Sequence, residues 1–262
     1  MARYQVILVY DGTEFRGFQR QGAGSTHNRT VQGVFENALR RLNWQGQTVL
    51  AAGRTDTGVH ARGQVVAFDL DWAHSNEELQ AALNSHLPGD VAVRTVRQVQ
   101  PGFHPRYDAL SRRYRYRIFC DPWRDPIKER YAWRVWPAAD VSHLHEAART
   151  LTGTHDFAAF GTPPRAGGGT IRTVFHAFWD VEDSQDGRLV FEISANAFLY
   201  RMVRRLVYVQ VAIGQGKYPP DFMRQCLESG HSHPVQGLAP PHGLTLEEVV
   251  YPQGVVLQGE NQ

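Results

Sequence analysis

Between Tyr4 and Val99 the spacing of apolar residues switches between every second position and every third or fourth, in the order β-α-β-β-α-β. A strand is expected over 4–10, then a turn and loop over 11–29, then a helix over 31–44. In that helix Val31, Val34, Phe35, Ala38, Leu39 and Leu42 recur at three- and four-residue spacing. Strands follow at 48–52 and 64–70. A helix over 76–85, with Ser75 placed to cap it and "LPGD" to stop it, leads to a strand at 91–99. Such an order calls for helices packed on a sheet, the α+β class.

The second half repeats the theme less regularly. A strand is expected at 112–120, a helix at 141–152, strands at 174–181 and 189–194, a long helix at 198–213, a short helix from about Asp221 and a last strand at 246–251. Two α+β halves result, 1–105 and 106–262, alike in element order and not in sequence. The stretch "GTPPRAGGGT", 161–170, reads as a mobile surface loop from its Pro and Gly content.

The 262 residues contain no apolar run approaching the roughly 18 that a membrane helix needs. The opening "MARYQVILVYDG" lacks the apolar region and cleavage site of a signal peptide, so a cytoplasmic protein is expected, with no membrane partner. Cys120 and Cys226 are far apart and suit neither a disulfide scaffold nor a Cys-rich zinc site. Of 28 basic residues only Lys128 and Lys217 are lysines. That bias suits a partner that Arg can stack on and fork onto. A GC-rich genome gives the same ratio.

Clustering says more. The stretch 104–117, "HPRYDALSRRYRYR", holds Arg106, Arg112, Arg113, Arg115 and Arg117 against one acid, with Tyr107, Tyr114 and Tyr116 interleaved. From Ile193 to Pro220 there is no acid, while Arg201, Arg204, Arg205 and Lys217 are present. Basic residues among aromatics hold phosphates and stack bases; a solvated edge strand has the same composition. On the helix expected over 198–213, Phe198, Met202, Leu206, Val209 and Ile213 form one stripe. Arg201, Arg204, Arg205 and Tyr208 fall largely off it, a basic face that is either solvated or ligand-bearing. The twelve histidines show no paired metal-ligand spacing; His60 and His155 sit at expected loop or strand ends. "GQGK" lacks the remaining residues of a phosphate loop. Neither a metal nor a nucleotide cofactor is indicated.

The stretch "AAGRTDTGVHARGQVVAF", 51–68, places one acid, Asp56, between Gly53 and Gly58 on a connection between two expected strands. A carboxylate presented on such a loop acts as nucleophile or general acid/base, or forms a turn-stabilising pair with Arg54; spacing does not decide.

"GRTDTGVHARGQV", 53–65, closely resembles the catalytic motif of the tRNA pseudouridine synthases of the TruA type. "YDGTEFRGFQRQ" (10–21), "TVQGVFENAL" (30–39), "NSHLPGDVAV" (84–93), "FHPRYDALSRRYRY" (103–116), "NAFLYRMVRRLV" (196–207) and "APPHGL" (239–244) resemble further blocks of that family in the same order. Phe15 and Phe18 depart mildly, standing where Tyr or Trp is commoner.

The resemblance implies two ferredoxin-like halves whose sheets join into one, helices on one side and a basic cleft between them. It also implies a homodimer gripping one tRNA, and cofactor- and metal-free isomerisation of uridine to pseudouridine at tRNA positions 38, 39 and 40 of the anticodon arm. By motif, Asp56 is the essential carboxylate, adding to the uracil ring or to the sugar C1′, or drawing off a proton; the uracil is everted into a closed pocket. Tyr114 matches the active-site tyrosine. Arg204 matches the basic partner of the acid, since a neighbouring cation keeps a carboxylate ionised, and Arg54 an arginine suited to the space the base leaves. Arg16, Arg20, Gln21, His60, Arg112, Arg113, Arg201 and Arg205 are expected to face RNA. A catalytically silent RNA-binding protein on the same scaffold and an acid-dependent hydrolase are the competing classes. Asp56, Tyr114 and Arg204 together favour the isomerase.

Overall fold

A computed structural model describes residues 1–20, 29–163, 165, 167–183, 187–230 and 235–255. They are α+β and fall into two compact units. One holds residues 1–110 and the chain from Leu246 onward; the other holds 111–245. The chain passes from the first unit to the second at 110/111 and back at 245/246.

In the first unit β1 (Ala2–Tyr10), α1 (Val31–Arg41), β2 (Leu50–Ala51), β3 (His60–Leu70), α2 (Asn76–His86) and β4 (Val91–Val99) follow one another. β4 and β3 flank β1, and β2 pairs with the far edge of β3, every pair antiparallel. This β4-β1-β3-β2 order is the ferredoxin-like arrangement that a β-α-β-β-α-β chain forms when each helix returns it to the same end of the sheet. Alternate residues of β1, Tyr4, Val6, Leu8 and Tyr10, are buried. Phe68 of β3 stacks on Tyr4 and meets Phe35 of α1 edge-on, with ring centroids 6.1 and 5.8 Å apart, joining helix to sheet.

The helix ends follow their sequence signals. Thr30 caps α1, its hydroxyl accepting from Gly33 N. Ser75 and Glu78 form a reciprocal capping box on α2. α1 stops at Arg41, before the expected Trp44, because Asn43 takes a left-handed φ of 62°. β3 starts at His60, four residues before the expected Gln64: Ala61 still pairs with Tyr10 of β1.

The second unit contains β5 (Ser111–Cys120), β6 (Trp133–Val135), α3 (Val141–Arg149), β7 (Gly153–Asp156), β8 (Ile171–Asp183), β9 (Arg188–Ala195), α4 (Met202–Gly214) and α5 (Phe222–Ser229). Its sheet order is β5-β9-β8-β7, with β6 parallel to β5. β10 (Leu244–Val250) carries the chain from this unit back into the first. Trp179 of β8 donates from Nε1 to Gln210 of α4 at 2.8 Å, a buried tie between sheet and helix.

α4 differs from expectation in two ways. It begins at Met202, because Arg201 is left-handed (φ 62°) and Tyr200 is drawn into a β-bridge with Thr162. It also lacks a basic solvated face, being buried nearly all round with Arg204 included. The same bridge ties down the start of the stretch 161–170, where a Cβ on Gly161 would lie 2.6 Å from that of Leu199. At its other end Thr170 is buried and its carbonyl accepts from Phe157 N. Pro164 and Ala166 of that stretch, and Gln21, lie outside the described residues.

Candidate active site

The loop between β2 and β3 is built to show some side chains and hold others. Asp56 opens a β-turn closed by Val59 N donating to the Asp56 carbonyl at 3.1 Å. Gly58 supplies the positive φ (78°) that such a turn demands in its second half. Arg54 and Thr57 are exposed and Asp56 is half-buried, whereas Thr55 between them is buried.

Thr55 is held from two sides. Its carbonyl accepts from Phe18 N at 3.0 Å, and its hydroxyl lies 2.8 Å from the Tyr10 hydroxyl. Gln64 Nε2 donates to the Gly53 carbonyl at 3.0 Å, and Gly58 N donates to the Phe15 carbonyl at 3.3 Å. The 12–18 segment lies directly against this loop. A Cβ on Gly12 would fall 2.1 Å from the Val59 carbonyl oxygen, and Gly17 (φ 89°) sits against the Thr55 carbonyl. Neither position has room for a side chain.

The 12–18 segment has its own supports. Arg29 forks onto Asp90, holding that carboxyl below the usual range, and its guanidinium lies 4.1 Å above the Phe15 ring centroid. Arg20 donates its backbone N–H to Gln32 and lies 3.2 Å from the carboxylate of Glu36, a fully buried residue of α1. Glu36 Oε1 also accepts from Gln32, Thr48 and Val49 N.

The sequence-predicted residues divide between the units. Arg16, Arg20, Arg54, Asp56 and His60 belong to the first; Tyr114, Arg112, Arg113, Arg201, Arg204 and Arg205 to the second. Arg16 and Arg20 are exposed. His60 is buried, its Nδ1 accepting from Gly12 N at 3.0 Å, so it shapes the turn after β1.

In the second unit Tyr114 meets Phe198 edge-on, ring centroids 5.1 Å apart. Arg113 and Arg115 alternate with Tyr114 and Tyr116 along β5, so they lie on the opposite face of the sheet. There both converge on Glu192 of β9, at 3.0 and 2.7 Å. Burial pushes the Glu192 carboxyl up, and the two guanidiniums more than offset it, so the group sits below its ordinary range.

Arg204 is locked to the segment 237–243. Its Nε donates to the Ala239 carbonyl at 2.8 Å, and Ala239 N donates to the Arg204 carbonyl at 3.2 Å. The neighbouring Pro240 carbonyl accepts from the Tyr116 hydroxyl at 2.7 Å. Burial pushes the Tyr116 phenol far up, with the Arg204 charge opposing, so that phenol stays a neutral donor. Arg205 reaches the Phe160 carbonyl at 3.2 Å, Arg112 the Asn196 carbonyl at 2.8 Å, and Arg201 lies over the Tyr200 ring.

Sequence reasoning singled out Asp56, Tyr114 and Arg204 but not their supports: Tyr10, Thr55 and Gln64 under the first, Tyr116 and Ala239 beside the third. All five lie inside the quoted motifs. A polar residue on an otherwise apolar strand face, such as Gln64 in "RGQVVAF", is the signal that points to them.

A model of the tRNA pseudouridine synthase family matches residues 6–108 and 147–252. The chain is 41% identical to the tRNA pseudouridine synthase A of Streptomyces avermitilis over 99% of its own length and 92% of the relative's. It is 39% identical to the tRNA pseudouridine synthase A of Pseudothermotoga lettingae, over 95% and 99% of the two chains. With the Geobacter sulfurreducens protein of the same name it shares 40% identity over 95% and 99%. This chain belongs to the TruA-type tRNA pseudouridine synthase family, a family of isomerases.

Proposed function

We propose that the protein converts uridine to pseudouridine at positions 38, 39 and 40 of the tRNA anticodon arm, without a metal or cofactor. The N1–C1′ glycosidic bond breaks with its electron pair left on N1, the uracil turns, C5 bonds to C1′, the C5 proton leaves and N1 takes up a proton, so the change is a net isomerisation. None of this is possible within a base stack, so the nucleotide is everted. Asp56 is the reacting carboxylate. Arg54, exposed two residues away, enters the space the base vacates. Tyr114 stacks on the uracil, and Arg204 supplies the positive charge that accompanies the acid.

The observation that carries this reading is the construction of the 53–59 loop. A half-exposed carboxylate heads a glycine turn whose neighbouring residues are bonded down from below. A turn needing only an ion pair requires no such base. The RNA backbone is met by Arg16, Arg20, Arg112, Arg201 and Arg205, joined by Gln21; phosphate contacts of this kind position the substrate. Arg113 and His60, held by Glu192 and Gly12, contribute by shaping their surroundings.

The protein works as a cytoplasmic homodimer. Large apolar side chains left exposed in the second unit, among them Trp123, Ile127, Phe175 and Phe178, support a partner surface there. The function is tested by incubating an unmodified tRNA transcript with the purified protein and mapping pseudouridine with a carbodiimide adduct read by reverse transcription. Stops at positions 38 to 40 are expected in tRNAs with uridine there. An unmodified anticodon arm would refute the reading.

A further inference from the structure

We propose that Tyr10, Thr55 and Gln64 form a positioning device for Asp56, a buried three-residue hydrogen-bonded cluster that sets the height and direction of the reacting loop. The inference rests on the assignment of Asp56 as the reacting carboxylate.

The three side chains come from three places. Tyr10 ends β1, Gln64 lies in β3, and Thr55 immediately precedes Asp56. All are buried, Gln64 completely. The Tyr10 and Thr55 hydroxyls are 2.8 Å apart, Gln64 Nε2 lies 3.5 Å from the Tyr10 oxygen, and the same Nε2 donates to Gly53 O at 3.0 Å. The cluster therefore grips the loop on both sides of Arg54, at residues 53 and 55. Asp56 follows directly, the peptide plane before it held by the Thr55 carbonyl accepting from Phe18 N and its own carbonyl accepting from Val59 N.

Burial pushes the Tyr10 phenol up to about 12, so it remains a neutral donor throughout the range in which RNA is intact. Relative to β1, β3 carries one extra residue between its pairings with Leu8 and Tyr10. Bulges of this kind re-aim side chains beside functional loops. Phe18, whose N–H bonds the Thr55 carbonyl, also tilts against the Tyr10 ring at 6.4 Å. A purely apolar core would bury Tyr10 and Gln64 as Phe and Leu without satisfying polar atoms. The Tyr10–Thr55 hydroxyl pair and the Gln64 Nε2 bond to Gly53 make a directional joint that apolar packing does not, even though Gln64 Oε1 is buried without a partner among the described residues.

A joint of this kind affects the chemical step and not the grip on RNA, because none of its members faces solvent. A misplacement of about 1 Å is enough to lower a rate by about 100-fold. Tyr10→Phe, Thr55→Val, Thr55→Ser and the Tyr10→Phe/Thr55→Val double variant are compared in single-turnover tritium release from C5-labelled tRNA, with tRNA Kd and thermal unfolding measured alongside. Tyr10→Phe and Thr55→Val are each expected to slow the step about 10- to 100-fold, with Kd unchanged within about twofold. Thr55→Ser should retain most of the rate, and the double variant should be no slower than the slower single.

Wild-type rates in Tyr10→Phe and Thr55→Val would overturn the proposal. So would losses that match the unfolded fraction at the assay temperature, or multiplicative losses in the double variant. Asp56→Asn in the same assay separates the two readings. If it still releases tritium, the assignment of Asp56 fails; if it is inactive while the cluster variants are unimpaired, only the present inference fails.

Discussion

Arg204 and Ala239 are hydrogen-bonded to each other twice, side chain to carbonyl at 2.8 Å and N–H to carbonyl at 3.2 Å, across 35 residues of chain. The pairing explains how an arginine in the first turn of α4 comes to be buried. The segment around Ala239 covers it and takes one of its donors, and the Tyr116 hydroxyl and Gly243 hold that segment in place.

The cover is tight enough to be tested at Gly243. A Cβ there would meet the Tyr116 ring at 2.7 Å and the Arg117 carbonyl oxygen at 2.9 Å. Gly243→Ala should therefore destabilise the protein by about 1–3 kcal/mol through overpacking and lower the rate by loosening Arg204. Denaturant unfolding and single-turnover kinetics check the two parts.

Glu36 offers a second test. Its carboxylate is fully buried yet takes three hydrogen bonds on one oxygen and lies near Arg20 and Arg40 on the other. Replacing it with Leu strands the N–H of Val49 and removes one of the two acceptors of the Gln32 amide, which keeps Thr48. Loss of a partner in such a network costs about 3 kcal/mol. Urea unfolding should show that loss, and limited proteolysis should cut near Arg20 faster, since Gln32 and Glu36 hold that arginine.

The Arg29–Asp90 pair gives a pH dependence of known sign. The side-chain hydrogen bonds from Arg29 lower the Asp90 carboxyl in the folded state, with burial opposing. A depressed carboxyl stabilises the fold above its unfolded value of about 3.9 and loses that contribution as pH falls through the folded value. The Tm difference between wild type and Asp90→Asn, worth about 1 kcal/mol at neutral pH for this partly exposed pair, should shrink progressively below about pH 4.

Arg112 and Arg113 are neighbours with different surroundings. Arg113 is committed to Glu192 on the sheet face opposite Tyr114. Arg112→Ala should reduce the slope of log K against log salt for tRNA binding by about 1, the signature of one lost phosphate contact. Arg113→Ala should leave the slope unchanged and lower stability by about 1 kcal/mol. Filter binding at several salt concentrations, with thermal unfolding, distinguishes them.

What the sequence disclosed followed from how local each signal was. The strand over Val91–Val99 and the capping of α2 by Ser75 depend on alternation and a three-residue spacing, and both appear as expected. The short strands Trp133–Val135 and Gly153–Asp156 were not legible, because each exists only through pairing with a distant strand. The start of α4 was misplaced by four residues because Phe198–Tyr200 continue the helical spacing, yet Tyr200 bonds to Thr162 and Arg201 turns left-handed. Burial of Arg204 was likewise hidden, since amphipathic spacing sees only the helix and not the segment that covers it. At the candidate site, motif resemblance singled out Asp56, Tyr114 and Arg204. The hydrogen bonds of Tyr10, Thr55 and Gln64 became visible only with the strands assembled.

The claim on which the rest depends is that the Asp56 carboxylate takes part in the reaction. Replacing it with Asn keeps size and shape and removes the charge, so tRNA binding serves as the internal control. The account predicts that Asp56→Asn binds tRNA with a Kd within about threefold of wild type, as expected when phosphate contacts supply the affinity, and releases no tritium from C5-labelled uridine above background. Tritium release above background by the folded Asp56→Asn protein would contradict it.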